Sequence, residues 1–246
     1  MRIYSIYFPY KSAYLNLALE EYFLTQKEKN YNDIYLFFYE NLNSIILGKT
    51  LDIKKEIYLT KKHPPVIRRI SGGGSVVHFK GCLNFGFLCS LEKFPELFSI
   101  QKSYEAILGS IIEGFKKNFP LKFKGLSDLV LFQKGSLRKI SGNSQARKKG
   151  WLLHHGTFLY NNKNISKISY FLKHPEKEPE YRKNRDHKSF MPIIIPINSK
   201  SYVIKNIQKG FQNTFNCSLS RLKLNESVSP DEIRNIQKNL MLNSRD

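Results

Sequence analysis

The sequence predicts an α/β (α+β) fold in which a mixed β-sheet is covered by helices. Helix-like and strand-like segments alternate irregularly along the chain, which favours a large sheet packed against helices over an all-α or all-β architecture. The 246 residues are 41% hydrophobic and 13% aromatic, so the chain can bury a sizeable core. No internal repeat divides the sequence, and we expect residues 1–246 to form a single domain.

The first predicted element is an amphipathic helix over residues 12–24. Leu15, Leu19 and Tyr22 recur on one helical stripe, and Ser12 precedes them as an N-cap. Two aromatic and β-branched runs follow, DIYLFFYE and NSIILGK, and the polar residues between them predict a hairpin. PPVIRRI and SVVHF then predict two strands that flank a run of three glycines.

The second half of the chain repeats this alternation. Residues 101–118 predict a helix because Ile107, Ile111 and Phe115 have helical spacing and Pro120 closes the segment. DLVLF, RKIS and WLLHHGTFLY predict further strands, and residues 204–215 and 230–242 carry helical stripes. Residues 173–189 have almost no apolar content, which indicates a solvated loop or flap.

The formal net charge is +20, with 40 basic against 20 acidic residues. The basic residues are spread along the chain, and part of the excess follows from a general bias toward Lys and Asn, so the charge argues only weakly for nucleic acid. A diffuse positive field attracts an acidic protein partner instead. We therefore expect an acidic protein partner, with nucleic acid as the weaker alternative.

Cysteine usage and hydropathy indicate the compartment. Cys82, Cys89 and Cys217 are odd in number and lack paired spacing, which indicates free thiols in a reducing environment. The N-terminal residues lack the apolar region of a signal peptide, and no apolar run approaches the roughly 18 residues that span a bilayer. We expect a cytoplasmic protein that does not enter a membrane.

The stretch RRISGGGSVVHFKG, residues 68–81, sets three glycines beside two arginines. Glycine allows close approach to the main chain, so Gly72, Gly73 and Gly74 suggest N–H groups turned toward an anion. The structural alternative is a tight turn or bulge between two strands. Spacing alone leaves both interpretations open.

Several familiar sites do not fit the sequence. LGKT at 47–50 lacks the earlier glycine of a P-loop, since Asn43 stands there, and Val77 stands at the last glycine position of a dinucleotide-binding pattern. His154 and His155 would point to opposite faces of a strand, so they do not form a metal site. No G-x-S-x-G elbow of a hydrolase occurs.

Three segments in order, RRISGGGSVVH, SDLVL and RKISGNSQARKKGWLLHHGTFLY, resemble the lipoate-protein ligase family, which is related to biotin ligases and octanoyltransferases. YLNLALEEYFL and IILGK look like the family's first helix and hairpin, so the resemblance covers roughly residues 3–172. It implies a biotin/lipoate-ligase-like catalytic domain. It also implies a ligase that uses ATP and lipoate to form lipoyl-AMP and then lipoylates a lysine of an acceptor protein.

The resemblance assigns roles to individual residues. Lys139, in RKISG, would be the catalytic cation between the lipoate carboxylate and the α-phosphate. Asp128 would lie near the nucleotide and could act through Mg²⁺ as its ligand, although an aspartate in a turn is nearly as good an interpretation. The remaining residues expected to bind the adenylate or line the acyl pocket are Arg69, Ser71, Gly73, Gly74, Ser75, His78 and His154.

The resemblance also implies partners and leaves alternatives. The acceptors would be small acidic lipoyl domains of 2-oxoacid dehydrogenase E2 components or the glycine-cleavage H protein. The chain is too short for the full C-terminal accessory domain of long ligases, so we expect a separate accessory subunit, a supply of preformed lipoyl-adenylate, or an octanoyl transferase. We favour the ligase because the transferase needs a cysteine nucleophile, and none lies between Lys139 and Phe171.

Biotin ligase and a non-enzymatic acyl- or nucleotide-binding module are two further alternatives. The arginine-rich glycine loop of biotin ligases differs from RRISGGG, and Lys139 argues against a pure binding module. We also expect residues 173–189 to fold over a bound adenylate, and an acyl pocket walled by Ile70, Val77 and Leu153.

Overall fold

The structure is a computed structural model that describes residues 1–25, 29–59, 63–117, 119–197 and 199–243, with side chains as far as residue 236. Within these residues the chain forms two sheets and helices on both faces of the larger sheet. The mixed α/β class expected from the sequence is confirmed.

A mixed eight-stranded sheet runs through the centre, in the order β11-β1-β2-β6-β10-β9-β8-β7. β1 pairs in parallel with β2 and β11, and the other neighbours are antiparallel. A second sheet has the order β4-β3-β5. The strands are β1 (Arg2–Tyr7), β2 (Ile34–Tyr39), β3 (Ser44–Leu47), β4 (Val66–Arg68), β5 (Val76–His78), β6 (Cys82–Ser90), β7 (Lys122–Lys124), β8 (Asp128–Gln133), β9 (Ser136–Lys148), β10 (Trp151–Leu159) and β11 (Ser218–Lys223).

Helices cover the two faces of the large sheet. Their bounds are α1 (Ala13–Thr25), α2 (Ile53–Glu56), α3 (Ile100–Phe115), α4 (Ser166–Phe171), α5 (His187–Phe190), α6 (Lys200–Phe215), α7 (Leu224–Ser227) and α8 (Pro230–Asn243), with short 3₁₀ turns at Pro95–Phe98 and Glu180–Arg182. Ser12 accepts a hydrogen bond from the Leu15 N–H at 3.4 Å, so the predicted cap of α1 is confirmed. None of the described helices is long and apolar enough to cross a membrane.

Two apolar cores hold the helices to the sheet. On one face α3 and α6 bury Ile107, Ile111 and Phe211 against β6, and Phe87 stacks on Phe211 with ring centres 5.0 Å apart. On the other face Leu19 and Phe23 of α1 pack against side chains of β2, β6 and β10. The sheet is therefore apolar on both sides along β6, where every residue is buried.

One prediction about these elements is wrong. DIYLFFYE and NSIILGK do not form a hairpin, because β2 joins the large sheet while β3 lies at the centre of the small one. Leu36 of β2 and Ile45 of β3 share one core, but the sheet that each strand joins depends on partners distant in sequence, which a local turn signal cannot reveal. RKIS is a strand, as predicted, and is part of the 13-residue β9. Residues 173–189 are mostly irregular, with a short 3₁₀ turn and the start of α5.

Candidate active site

Two adjoining cavities, of about 450 and 130 Å³, open beside the glycine run. They share a wall that includes Gly74 and Ser75 from the glycine run and Lys139 and Gly142 from β9. The two segments that the sequence predicted to meet therefore line the same space. The larger cavity also has apolar walls from β9, β10, α4 and α5, among them Ile140, Leu159, Ile168 and Phe190.

The small sheet creates the bend of the glycine run. β4 and β5 both pair with β3, in parallel and antiparallel directions, so the residues between them must turn above its end. Gly73 has a φ of +81°, which side chains strongly disfavour. At Gly48 a Cβ atom would lie only 1.9 Å from the Gly73 carbonyl oxygen, so the close approach of the two segments requires glycine at position 48.

The carbonyl groups of the bend point into the protein. The Ser71 carbonyl accepts from the Lys49 N–H at 2.8 Å, the Gly72 carbonyl accepts from Ser144 Oγ at 2.8 Å, and the Gly74 carbonyl accepts from Arg69 Nη2 at 2.8 Å. Among the described residues, no acceptor takes a hydrogen bond from the N–H groups of 72, 73 and 74. The N–H groups of the bend are therefore left available for another acceptor, as in the backbone concavities that bind anions.

Arg69 organises this bend from within. Its buried guanidinium donates to Ser71 Oγ at 2.9 Å and to the carbonyls of Gly72 and Gly74. Burial lowers the pKa of Arg69 to about 10. The residue lines the smaller cavity, so its charge acts there while its hydrogen bonds shape the main chain. Ser75 lines both cavities and donates to Glu56 at 2.7 Å.

Lys139 extends from β9 at the junction of the two cavities. A bulge in β9 leaves Ile140 unpaired, since Val130 pairs with Lys139 and Leu129 with Ser141, and bulges redirect side chains. The Lys139 Nζ lies 2.8 Å from Asp128 Oδ1. Because Asp128 is almost fully buried while Lys139 is 27% exposed, the carboxylate fixes an ammonium group that still faces the cavities.

The other oxygen of Asp128 is also occupied. The Tyr181 hydroxyl donates to Oδ2 at 2.7 Å, and burial together with this carboxylate raises the pKa of Tyr181 well above its ordinary value. No group of three or more His, Cys, Asp or Glu side chains that could hold a metal occurs in the described part of the chain. Asp128 thus positions Lys139, and its role as a Mg²⁺ ligand stays a prediction.

Residues 173–191 form a cover over the larger cavity, which we call the lid. Lys173, Pro179, Arg182 and Phe190 contribute to the cavity wall. The lid has its own packing, since the Arg182 guanidinium lies 4.8 Å from the centre of the Phe190 ring and also pairs with Glu178. The segment predicted as a flap is thus an ordered cover, and Tyr181 joins it to Asp128.

The histidines divide between the two faces of the sheet. His78 lines the smaller cavity and bonds Asn41 and Thr157 at 2.8 and 3.0 Å. Burial and the nearby charge of Arg69 lower the pKa of His78 to about 3, so a neutral ring lines the cavity. His154 lies on the opposite face, against Phe85 and Tyr104, and it lines neither cavity. His155 occupies the cavity side instead.

Some positions differ from the sequence interpretation. Ile70 and Leu153 pack in the core beside α1, away from both cavities, whereas Val77 lines the larger one as expected. Cys82 lines the larger cavity. The sequence around it predicts only a strand and does not indicate a position beside a cavity. Burial raises the pKa of the Cys82 thiol to about 12, so the thiolate that a transferase needs is disfavoured. The three cysteines are free, as predicted.

The sequence interpretation missed Tyr181, Glu20 and His155. Tyr181 stands in a charged stretch whose composition indicates only exposure, so nothing local connects it with Asp128. Glu20 follows Leu19 on α1 and is buried, where a helical surface pattern predicts an exposed acid. His155 was detectable as the strand neighbour that must face away from His154.

The fold brings a glycine bend and a lysine to the junction of two cavities. Residues 12–215 match the lipoyl protein ligase A/B catalytic domain, and the chain belongs to this family. The lipoate-protein ligase LplJ of Bacillus subtilis is 34% identical over 149 residues, which cover 59% of this chain and 42% of that protein. The chain spans about half the length of the curated relatives it matches.

Solved structures share the fold. The bi-partite lipoate protein ligase from Thermoplasma acidophilum has a TM-score of 0.72 and 21% identity, over 97% of this chain and 91% of that chain. A lipoate-protein ligase A bound with ATP has a TM-score of 0.72 and 20% identity, over 97% and 93% of the two chains. At this identity the likeness establishes the fold alone.

Proposed function

We propose that the protein is a lipoate-protein ligase that activates lipoate with ATP and transfers the lipoyl group to a lysine of an acceptor protein. The observation that carries the proposal is the shared wall of the two cavities, where the glycine bend and Lys139 face one junction. Family membership and the relatives named lipoate-protein ligase support the same activity. The two cavities give separate space to the acyl chain and the nucleoside.

In the first step a carboxylate oxygen of lipoate attacks the α-phosphorus of ATP. The bond from that phosphorus to the bridging oxygen breaks, pyrophosphate leaves with the electron pair, and lipoyl-AMP forms. Negative charge develops on the α-phosphate in this step, so cations and N–H groups positioned beside it stabilise the transition state. Lys139 Nζ supplies the cation, and the N–H groups of 72–74 supply donors that have no other acceptor among the described residues.

In the second step the amine of an acceptor lysine attacks the acyl carbonyl carbon. The bond to AMP breaks, AMP leaves with the electron pair, and the amine gives a proton to water as the amide forms. Asp128 and Tyr181 hold Lys139 beside the departing phosphate. The lid limits water at the anhydride, because its residues form one wall of the larger cavity.

The acceptor that suits this protein is an acidic lipoyl domain, of an E2 component or of the glycine-cleavage H protein. The formal charge of +20 attracts such a domain over a distance of about one Debye length, roughly 8 Å at physiological salt. The structurally similar ligase of Thermoplasma acidophilum belongs to a lipoylation system that includes its E2 lipoyl domain, which supports an acceptor of the same kind here.

The mass of a purified lipoyl domain tests the proposal. The protein is incubated with the domain and one of three donors: ATP with lipoate, synthetic lipoyl-adenylate, or octanoyl carrier protein. A lipoyl mass increase that requires ATP supports the complete ligase. An increase from lipoyl-adenylate alone places the activation step with a separate accessory polypeptide. Transfer from the carrier thioester that Cys82→Ser abolishes would contradict the ligase and favour the transferase.

A further inference from the structure

A chain of buried polar side chains connects helix α1 to the glycine bend. His155 Nδ1 lies 2.6 Å from Glu20 Oε2, and His155 Nε2 lies 2.5 Å from Ser71 Oγ. Ser71 Oγ in turn lies 2.9 Å from Arg69 Nε. We call Glu20, His155, Ser71 and Arg69 the buried relay; each of the four is at most 9% exposed.

The hydrogen-bond donors and acceptors of the buried relay are compatible with one arrangement of the protons. The Glu20 carboxylate can only accept, so His155 carries its proton on Nδ1. Ser71 Oγ accepts from Arg69 and donates its own proton to His155 Nε2. Ser71 lines neither cavity, so this hydroxyl acts on the bend and is not a nucleophile.

Glu20 is tightly enclosed, and only its Oε2 has a hydrogen-bond partner among the described residues. Gly86 on β6 lies against it, and a Cβ at this position would meet Glu20 Oε1 at 3.1 Å. The negative charge of Glu20 also favours the charged form of the buried Arg69 guanidinium. A buried acid and a buried base that are joined through neutral groups offset part of each other's desolvation cost.

We infer that Glu20 is a positioning residue of the site: through His155 and Ser71 it holds Arg69 against the Gly72 and Gly74 carbonyls and so keeps the N–H groups of the bend directed outward. Glu20 touches no reacting group in this arrangement. The inference deepens the proposed function, because the ligand of the bend would be the carboxylate or phosphate of that reaction.

The first test requires no ligand. Hydrogen exchange of the Lys49 amide, which donates to the Ser71 carbonyl, reports whether the bend stays in place. We expect Glu20→Leu and Ser71→Ala to accelerate this exchange at least fivefold, while Glu20→Gln, which keeps an acceptor for His155, stays close to the parent protein. His154→Leu is the matched control, because His154 is buried like His155 but lies on the other face of β10. It should leave the exchange of the Lys49 amide unchanged. Unchanged exchange in Glu20→Leu would overturn the inference, and Ser71→Ala carries the test if that variant does not fold.

The second test is a double-mutant cycle on the Kd values of ATP and of lipoate. Residues that act through one series of hydrogen bonds give non-additive effects. We therefore expect Glu20→Leu and Ser71→Ala each to raise the Kd about tenfold, and the double variant to have the same Kd as either single variant. The inference would be contradicted if the fold-changes in Kd of the two single variants multiplied in the double variant. It would also be contradicted if the single variants had a lower Tm but the Kd of the parent protein. If the parent protein binds neither compound, the proposed function fails, and the exchange of the Lys49 amide still decides on the buried relay.

Discussion

At the scale of single residues, the site depends on side chains whose partners fix them in place. Arg69 was expected to hold a phosphate, yet its hydrogen bonds go to the carbonyls of its own bend. Asp128 was expected near a nucleotide and Mg²⁺, yet its two oxygens accept from Lys139 and Tyr181. Both residues therefore position groups that face the cavities, and their roles toward phosphate and Mg²⁺ stay predictions.

Lys139→Met tests the proposed cation. We expect lipoyl transfer to fall at least hundredfold, about 3 kcal/mol of transition-state stabilisation, because the ammonium group is lost where negative charge develops. The melting temperature should fall as well, because the almost fully buried Asp128 loses its cation, but the hydrogen bond from Tyr181 remains and the protein should stay folded. Lys122→Met, exposed on the edge strand β7, is the control and should retain full activity. Equal rates in both variants would exclude Lys139 from the chemistry.

Tyr181→Phe tests the link between the lid and Asp128. The ring keeps its packing on Phe190, with centres 5.3 Å apart, but the hydrogen bond to the carboxylate disappears. A hydrogen bond to a charged group contributes about 1.5 kcal/mol, so trypsin should cleave between residues 173 and 185 about tenfold faster. Tyr170→Phe, exposed on α4, is the control. Cleavage at the parental rate would show that this bond does not hold the lid closed.

At the scale of elements, short-range patterns identified most helices and strands but not their partners. The stripe of Leu15 and Leu19 predicted α1 because helical periodicity is a local property. The pairing of β3 with β4 and β5 depends on contacts that are distant in sequence, so the predicted hairpin was wrong. The glycine bend and Lys139 could be named from motifs, whereas the closeness of Tyr181 to Asp128 depends on the path of the lid.

The crossing of α3 and α6 offers a prediction at this scale. A Cβ at Gly210 would lie 2.0 Å from the Ser110 carbonyl oxygen, so Gly210→Ala must push the helices apart. We expect it to lower the free energy of unfolding by about 1–3 kcal/mol. Gly109→Ala on α3 meets no atom within 4 Å and should raise stability by up to about 1 kcal/mol. Urea denaturation measures both, and similar values for the two variants would contradict the close crossing.

At the scale of the whole molecule, Glu40 joins distant parts of the chain. It follows β2 and accepts from Lys200 at the start of α6 at 2.6 Å, from Tyr160 after β10 at 2.5 Å and from Lys11 at 3.0 Å. Burial alone would raise the pKa of Glu40, but these hydrogen bonds outweigh burial and lower it to about 2. The carboxylate thus connects segments that are distant in sequence.

This cluster predicts how stability depends on pH. Because the folded-state pKa of Glu40 lies below its ordinary value of 4.5, the contribution is complete above that value and is lost as pH falls toward 2. In Glu40→Gln the decline in unfolding free energy over this window should be shallower, and stability at pH 7 should be lower. Parallel pH profiles of the two proteins, measured by chemical denaturation, would contradict the role of the cluster.

The central claim is that an acylated AMP is held between the glycine bend and Lys139. A crystal structure with a non-hydrolysable lipoyl-sulfamoyl-adenylate measures this directly. We expect the sulfamoyl group, which replaces the phosphate, within hydrogen-bond distance of an N–H group of residues 72–74 and of Lys139 Nζ, with the acyl chain and the nucleoside in different cavities. An analogue that binds with its sulfamoyl group away from both elements would contradict the account.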